Sequence, residues 1–153
     1  MTTAMHEGSG ASFEALDGWV VRTDVVGESG IVAIEPEDDG AAYRASLVLI
    51  VEELGEITFA DWQDLADASL PATLVDYQLL DAELVTVGGS PGGRRLAHYA
   101  TDEGRSVTME QWFTKADGRG YVLTATVDTL RYDLFADELS RAAGSLSLPG
   151  ARR

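Results

Sequence analysis

The sequence contains no cysteine. That single absence removes disulfides, thiolate nucleophiles, cysteine zinc centres and a cysteine lipid anchor together. Lysine is almost missing as well: Lys115 stands beside ten arginines, and the 11 basic residues face 26 acidic ones for a formal charge of -15. Binding phosphate backbones or anionic headgroups needs clustered Lys and Arg to displace counterions, so this balance argues against nucleic acid as a partner. Excess acid is otherwise the ordinary means of keeping a protein soluble. No apolar run approaches the roughly 20 residues that span a bilayer; the longest, Ser46 to Val51, has the length of a strand. The opening Met-Thr-Thr-Ala-Met-His-Glu-Gly-Ser-Gly has neither a basic patch nor an apolar stretch, so it does not read as a secretory signal. A cytoplasmic protein without membrane insertion is the expectation.

What is present fits one globular domain. The chain has 153 residues, 45% apolar and 24% charged, enough to bury a substantial core. Residues 1–14 are polar and aperiodic and are expected to be a loose tail, residues 15–149 the domain, and 150–153 a short C-terminal tail. Gly18 to Val26, Ile31 to Glu35 and Tyr43 to Glu52 read as three strands, separated by Gly27-Glu-Ser-Gly30 and Asp38-Asp39-Gly40 turns. The unbroken apolar run of the third strand suggests cover on both faces.

Thr58 is placed to cap a helix whose Phe59, Trp62, Leu65, Ala66 and Leu70 recur at helical spacing, with Pro71 ending or kinking it. A further helical turn is expected over Ala72–Asp76. The period then returns to two: Leu79–Val87, Arg94–Thr101, Ser106–Thr114 and Gly120–Val127 read as four strands whose short connections require antiparallel neighbours. A last helix from near Thr129 carries Leu130, Leu134, Phe135, Leu139, Ala142 and Leu146 as one apolar stripe, with Arg131 among the water-facing residues. The predicted class is α+β: a mainly antiparallel sheet of six to seven strands packed by two main helices, in the order β-β-β-α-β-β-β-β-α.

Gly88-Gly-Ser-Pro-Gly92 matches the G-x-S-x-G of serine hydrolases, but that mechanism needs a helix after the serine and an acid then a histidine downstream. Here alternation resumes at Arg94, and the only later histidine is His98. A hairpin turn accounts for the glycines better, and a phosphate cradle fails on the same missing helix. Glu35-Pro-Glu-Asp-Asp-Gly40 lacks the alternating acids of a calcium loop. His6 and His98 have no convergent carboxylates at ligand spacing, and the Glu52-Glu53 and Asp102-Glu103 pairs fall at strand ends. No catalytic residue, metal or cofactor is therefore expected.

Alternation in the last strands groups Leu96, Val107, Met109, Phe113, Leu123 and Ala125 as core. The opposite side collects Arg95, Tyr99, Thr108, Glu110, Trp112, Thr124 and Thr126. Trp, Tyr and Arg are the residue mix of protein interfaces, which makes Arg95, Tyr99, Glu110, Trp112 and Thr124 the candidate partner surface. The competing reading has the Thr58 helix cover that side, with its aromatics as ordinary packing.

The glycine-tryptophan strand opening at Gly18-Trp19, the Thr58-to-Leu70 helix, the Val85-Thr-Val-Gly-Gly turn and the Gly120-Tyr-Val-Leu-Thr-Ala-Thr strand together resemble the Mog/PsbP/DcrB-like superfamily, over about Trp19 to Leu146. The resemblance implies a non-enzymatic role: members include a nuclear GTPase-binding protein, an extrinsic photosystem subunit, lipoproteins and chaperones of secreted effectors. It therefore implies a protein partner here, and is compatible with a homodimer. The lack of cysteine departs from the lipoprotein members. The alternative is a small-molecule binder or enzyme with a pocket between helix and sheet.

Overall fold

The computed structural model describes residues 2–37 and 43–150. The sheet is built on two hairpin turns that only particular residues allow. Gly88 and Gly89 join their strands at φ 59° and 83°, and Asp117 and Gly118 do the same at 52° and 78°. Positive φ at both central residues matches the twist of the flanking strands and closes a two-residue hairpin. Around these turns run four strands in succession: β6 (Val75–Val87), β7 (Ser90–Ala100), β8 (Ser106–Ala116) and β9 (Arg119–Asp128).

β9 then pairs with β5 (Ser46–Glu53), which continues through β4 (Gly30–Ile34) to β3 (Val20–Arg22). The seven strands lie in the order β3-β4-β5-β9-β8-β7-β6, antiparallel throughout. Helix α1 (Phe59–Thr73) covers one face and α2 (Tyr132–Gly144) the other. The architecture is the α+β class and element order read from the sequence.

Several local expectations are overturned. Residues 2–14 are no loose tail: β1 (Thr2–Met5) and β2 (Ser12–Ala15) form an antiparallel hairpin that buries Ala4, Ala11 and Phe13 completely. Phe13 supplies the apolar area that anchors it to the core. The strand expected over Gly18–Val26 is paired only at Val20–Arg22 and gives way to a 3-10 turn at Gly27–Ser29. The Asp38-Asp39-Gly40 turn, half of the Glu35–Gly40 acidic loop, lies outside the described residues.

Thr58 does cap α1, its Oγ1 accepting from the Asp61 amide at 3.1 Å. The helix, however, runs through Pro71 to Thr73, the Leu74 amide donating back to the Leu70 carbonyl. No helical turn follows. Asp76 takes a left-handed φ of 55° in a bulge that starts β6, a conformation Asp tolerates better than most side chains.

On α2, Leu139, Ala142 and Ala143 are buried, and Leu146 packs beyond the helix end. Leu130 and Leu134 are not part of that stripe; they are 91% and 73% exposed. Leu130 falls in the 3-10 turn Thr129–Arg131 before the helix, and Leu134 is one position off the inward face that Phe135 and Leu139 define. Arg131, expected in water, is half-buried and pairs with Glu35. In β5, Leu47 and Leu49 are fully buried on the α2 side, whereas Val48 and Ile50 are only half-buried.

Candidate functional site

Cross-strand register decides which side chains can meet. On the α2 side one row runs Ile31, Leu49, Leu123, Trp112, Arg94, Glu83 across six strands. On the α1 side the matching row runs Val32, Val48, Thr124, Gln111, Arg95, Ala82. The candidate surface therefore does not exist as one face. Glu110 and Trp112 look toward α2, whereas Arg95, Tyr99 and Thr124 look toward α1. The inferred core group splits the same way, with Leu96, Leu123 and Ala125 on one side and Val107, Met109 and Phe113 on the other. Both faces are covered by a helix, so alternation within one strand carries no label for inside or outside. Trp112 is 7% exposed and belongs to the core cluster, and Glu110 is 4% exposed.

Under α2, Glu110 is a buried carboxylate with all its needs met. Its Oε2 accepts from Arg94 Nε at 2.6 Å and its Oε1 from the Tyr132 hydroxyl at 2.7 Å. Arg94 reaches on to Glu83 at 2.9 Å and Asp81 at 3.1 Å. Burial alone would lower the Arg94 pKa, but the three carboxylates outweigh it and hold the guanidinium above its usual value. Burial, with the bond to Glu110, pushes Tyr132 up to about 12. The cluster fastens the first turn of α2 to the sheet.

The α1 side is organised by Arg95. Its guanidinium donates to Gln111 Oε1 at 2.8 Å, Gln63 Oε1 at 2.8 Å and Asp67 Oδ1 at 2.9 Å, while lying 4.6 Å from the centroid of the Phe113 ring. Gln111 passes the chain on to Thr124 at 3.1 Å. Phe59 stacks on Phe113 and Trp62 meets it edge-on, so one aromatic cluster seats the start of α1. Trp62 also donates to Glu52 at 3.1 Å. Gly93 makes this close approach available: a Cβ there would stand 2.5 Å from the Phe113 ring. Tyr99, farther along the same side, is pushed up to about 12 by burial and by the neighbouring Tyr43.

Cover on this face is incomplete. A groove of about 390 Å³ opens between α1 and the sheet, bounded by Leu65, Ala66 and Ser69 on one bank and Glu52, Gln111 and Val122 on the other. On the far flank of α1, Leu79 and Leu84 lie opposite Ala97 and Gly93 in the ladder and point to the same side. Exposure is 61% for Leu65, 51% for Leu79 and 84% for Leu84. Leu65 lies on the apolar spacing read for α1 and yet stands in water. Sequence reading missed Leu79 and Leu84 because nothing local marks β6 as an edge strand, and they look like any core positions of a strand.

Among the described residues, the motifs weighed in the sequence do not assemble into a catalytic constellation. Ser90 opens β7 opposite Val87 in the ladder, with no helix behind it. His6 is held by Ser9 and by the Glu28 carbonyl, and His98 lies beside Thr108 in mid-sheet. Among the described residues no three His, Asp or Glu side chains converge as a metal would require. None of the helices among the described residues is long and apolar enough to cross a membrane.

Similarity to known proteins is visible in the fold and not in the sequence. No family model and no curated protein matches the chain. Solved structures do. PA94 of Pseudomonas aeruginosa, a candidate regulator of unknown function, superposes with a TM-score of 0.70 over 99% of each chain at 18% identity. The Ran-binding protein Mog1p of Saccharomyces cerevisiae gives 0.65 at 12% identity, over 96% of this chain and 94% of its own. PsbP (CyanoP) of Synechocystis gives 0.65 at 15% identity, over 96% and 91%. The chain has the Mog/PsbP-like fold. Identities this low carry the fold alone. Within this Mog/PsbP-like fold, the α1 side is where the chain leaves a groove and three leucines in water.

Proposed function

We propose that this chain is a non-enzymatic protein-binding module, acting as an adaptor or as a chaperone for a secreted or effector protein, and that it holds its partner on the α1 side of the sheet. The observation that carries this reading is the exposure of Leu65, Leu79 and Leu84 on one side of the sheet, flanking α1 and the half-buried Phe59. Large apolar side chains exposed together on one side of a protein mark interaction sites. The groove beside α1 adds a concave element, and the acidic surface around it selects against anionic partners. The shared fold of a Ran-binding protein is compatible with such a role and supplies no residue of it.

The test is affinity capture from the source cells with the wild-type chain and with Leu79→Asp/Leu84→Asp, both exposed positions whose change leaves the melting temperature within a few degrees. A stoichiometric protein retained by wild type and lost by the double variant is the expected result. Equal capture by both moves the contact elsewhere. An empty capture, with a metabolite that raises the melting temperature, returns the helix–sheet groove to a small-molecule site.

A further inference from the structure

β6 is the outermost strand of the seven-stranded sheet and, at 13 residues, its longest. Among the described residues it pairs with β7 alone, so its other edge presents backbone donors and acceptors that no described strand pairs, along a span of roughly 40 Å. The opposite edge, β3, is only three residues long. Soluble proteins usually blunt a long edge with Pro, charged side chains (Lys above all) or bulges. β6 contains no Pro or Lys, and its charged residues, Asp76, Asp81 and Glu83, are all acidic. Its two register shifts lie between Val75 and Gln78 and between Leu79 and Asp81, leaving Asp81–Val87 in unbroken pairing with β7.

The two sides of that regular stretch differ chemically. Ala82 and Leu84 face the α1 side, and an open cleft of about 620 Å³ lies there between Phe59, Leu84, Thr86, Pro91 and Lys115. Asp81 and Glu83 face the other side, 55% and 50% exposed. They share the single guanidinium of Arg94 with Glu110, so three carboxylates compete for one cation and the edge is left negative. A strand laid along β6 would therefore meet apolar surface with one set of alternate side chains and acid with the other.

We propose that Asp81–Val87 is a template for strand addition, and that its occupant is an extended peptide segment in which basic and apolar residues alternate. The apolar set enters the cleft beside Leu84 and Phe59, and the Lys or Arg set lies along Asp81 and Glu83. Backbone hydrogen bonds supply the attraction and the alternate side chains the selectivity, as in other strand-addition complexes. A second copy of this chain is disfavoured as occupant, because two molecules of charge -15 would meet along an acidic edge. This proposal rests on the protein-binding reading and narrows the partner to an unstructured cationic stretch.

Synthetic peptides test it with the unmodified chain. A labelled decapeptide alternating Lys with Val or Leu is titrated by fluorescence anisotropy, beside the same composition in separate basic and apolar blocks. Two further versions carry N-methyl groups on every second backbone nitrogen, one in each phase. A strand paired along one edge uses alternate amides, so one methylated phase should bind like the parent. The other phase and the block peptide should lose at least about tenfold. Glu in place of Lys should abolish binding. Equal affinity of the two phases, or of block and alternating peptides, would overturn strand pairing in favour of charge attraction. If Leu79→Asp/Leu84→Asp still loses a captured protein in that case, the protein-binding reading survives without the template. Sedimentation showing the free chain as a dimer, with β6 amides protected from exchange, would also overturn the proposal by placing a second copy on the edge.

Discussion

Arg94 and Arg95 are neighbours in the chain and belong to opposite faces of the sheet. Arg94 is bonded to Glu110 beneath α2, and Arg95 is stacked on Phe113 beneath α1. Each is the hub of the polar contacts on its own side, so the two helices are fastened by consecutive residues of one strand.

The Arg95 hub should respond to shape as well as charge. Arg95→Ala strips partners from Gln63, Gln111 and Asp67 and uncovers the Phe113 ring, at an expected cost of about 2–3 kcal/mol. Arg95→Lys keeps the charge but cannot span three acceptors, and should recover only part of that. Asp67→Asn should cost less than about 1 kcal/mol, since that carboxylate is 60% exposed. Urea unfolding of the three variants checks the order.

Trp112 belongs to the folded core. Trp112→Ala should cost about 3–5 kcal/mol and lower the melting midpoint before it says anything about binding. A melt with a wild-type midpoint would contradict its placement against Leu123.

Alkaline stability has a definite sign. Tyr99 and Tyr132 both keep their protons up to about 12 in the folded chain, from an ordinary value of 10.0. A raised folded pKa means stability fully present below pH 10 that falls as pH climbs toward 12, because the unfolded chain releases the protons first. Denaturant midpoints across that window should decline for wild type and decline less for Tyr132→Phe, once its lower baseline is subtracted.

The Gly88-Gly89 hairpin separates two costs of a side chain. Both residues have positive φ, so Ala at either carries the left-handed penalty of about 1–2 kcal/mol. A Cβ at Gly88 also stands 2.8 Å from Leu148 Cγ, whereas Gly89 has open space. Gly88→Ala should therefore be the more destabilising, and Ser90→Ala, the change at the hydrolase-like serine, should cost least of the three.

Period and punctuation in the sequence were enough for the class and succession of the main strands and helices, because the Gly88-Gly89 and Asp117-Gly118 turns and the Thr58 cap act locally. They were not enough for the faces. Whether Trp112 shares a side with Arg94 or with Arg95 depends on register between strands, and with a helix on each side both alternating sets are partly apolar. The N-terminal hairpin was hidden for a related reason. Its one large core side chain is Phe13, joined by Ala4, Ala11 and Ala15 among polar residues, a pattern that reads as tail until the surface receiving it is known. The exposure of Leu84 required the strand order, which no local pattern reveals.

Amide hydrogen exchange on the captured complex tests the central claim most directly. Protection gained over α1 and β6, residues 59–87, with α2 unchanged, is the predicted result and would put the partner on the α1 side of the sheet. Protection gained instead around Leu130 and Leu134 or on the β1–β2 hairpin would contradict the account.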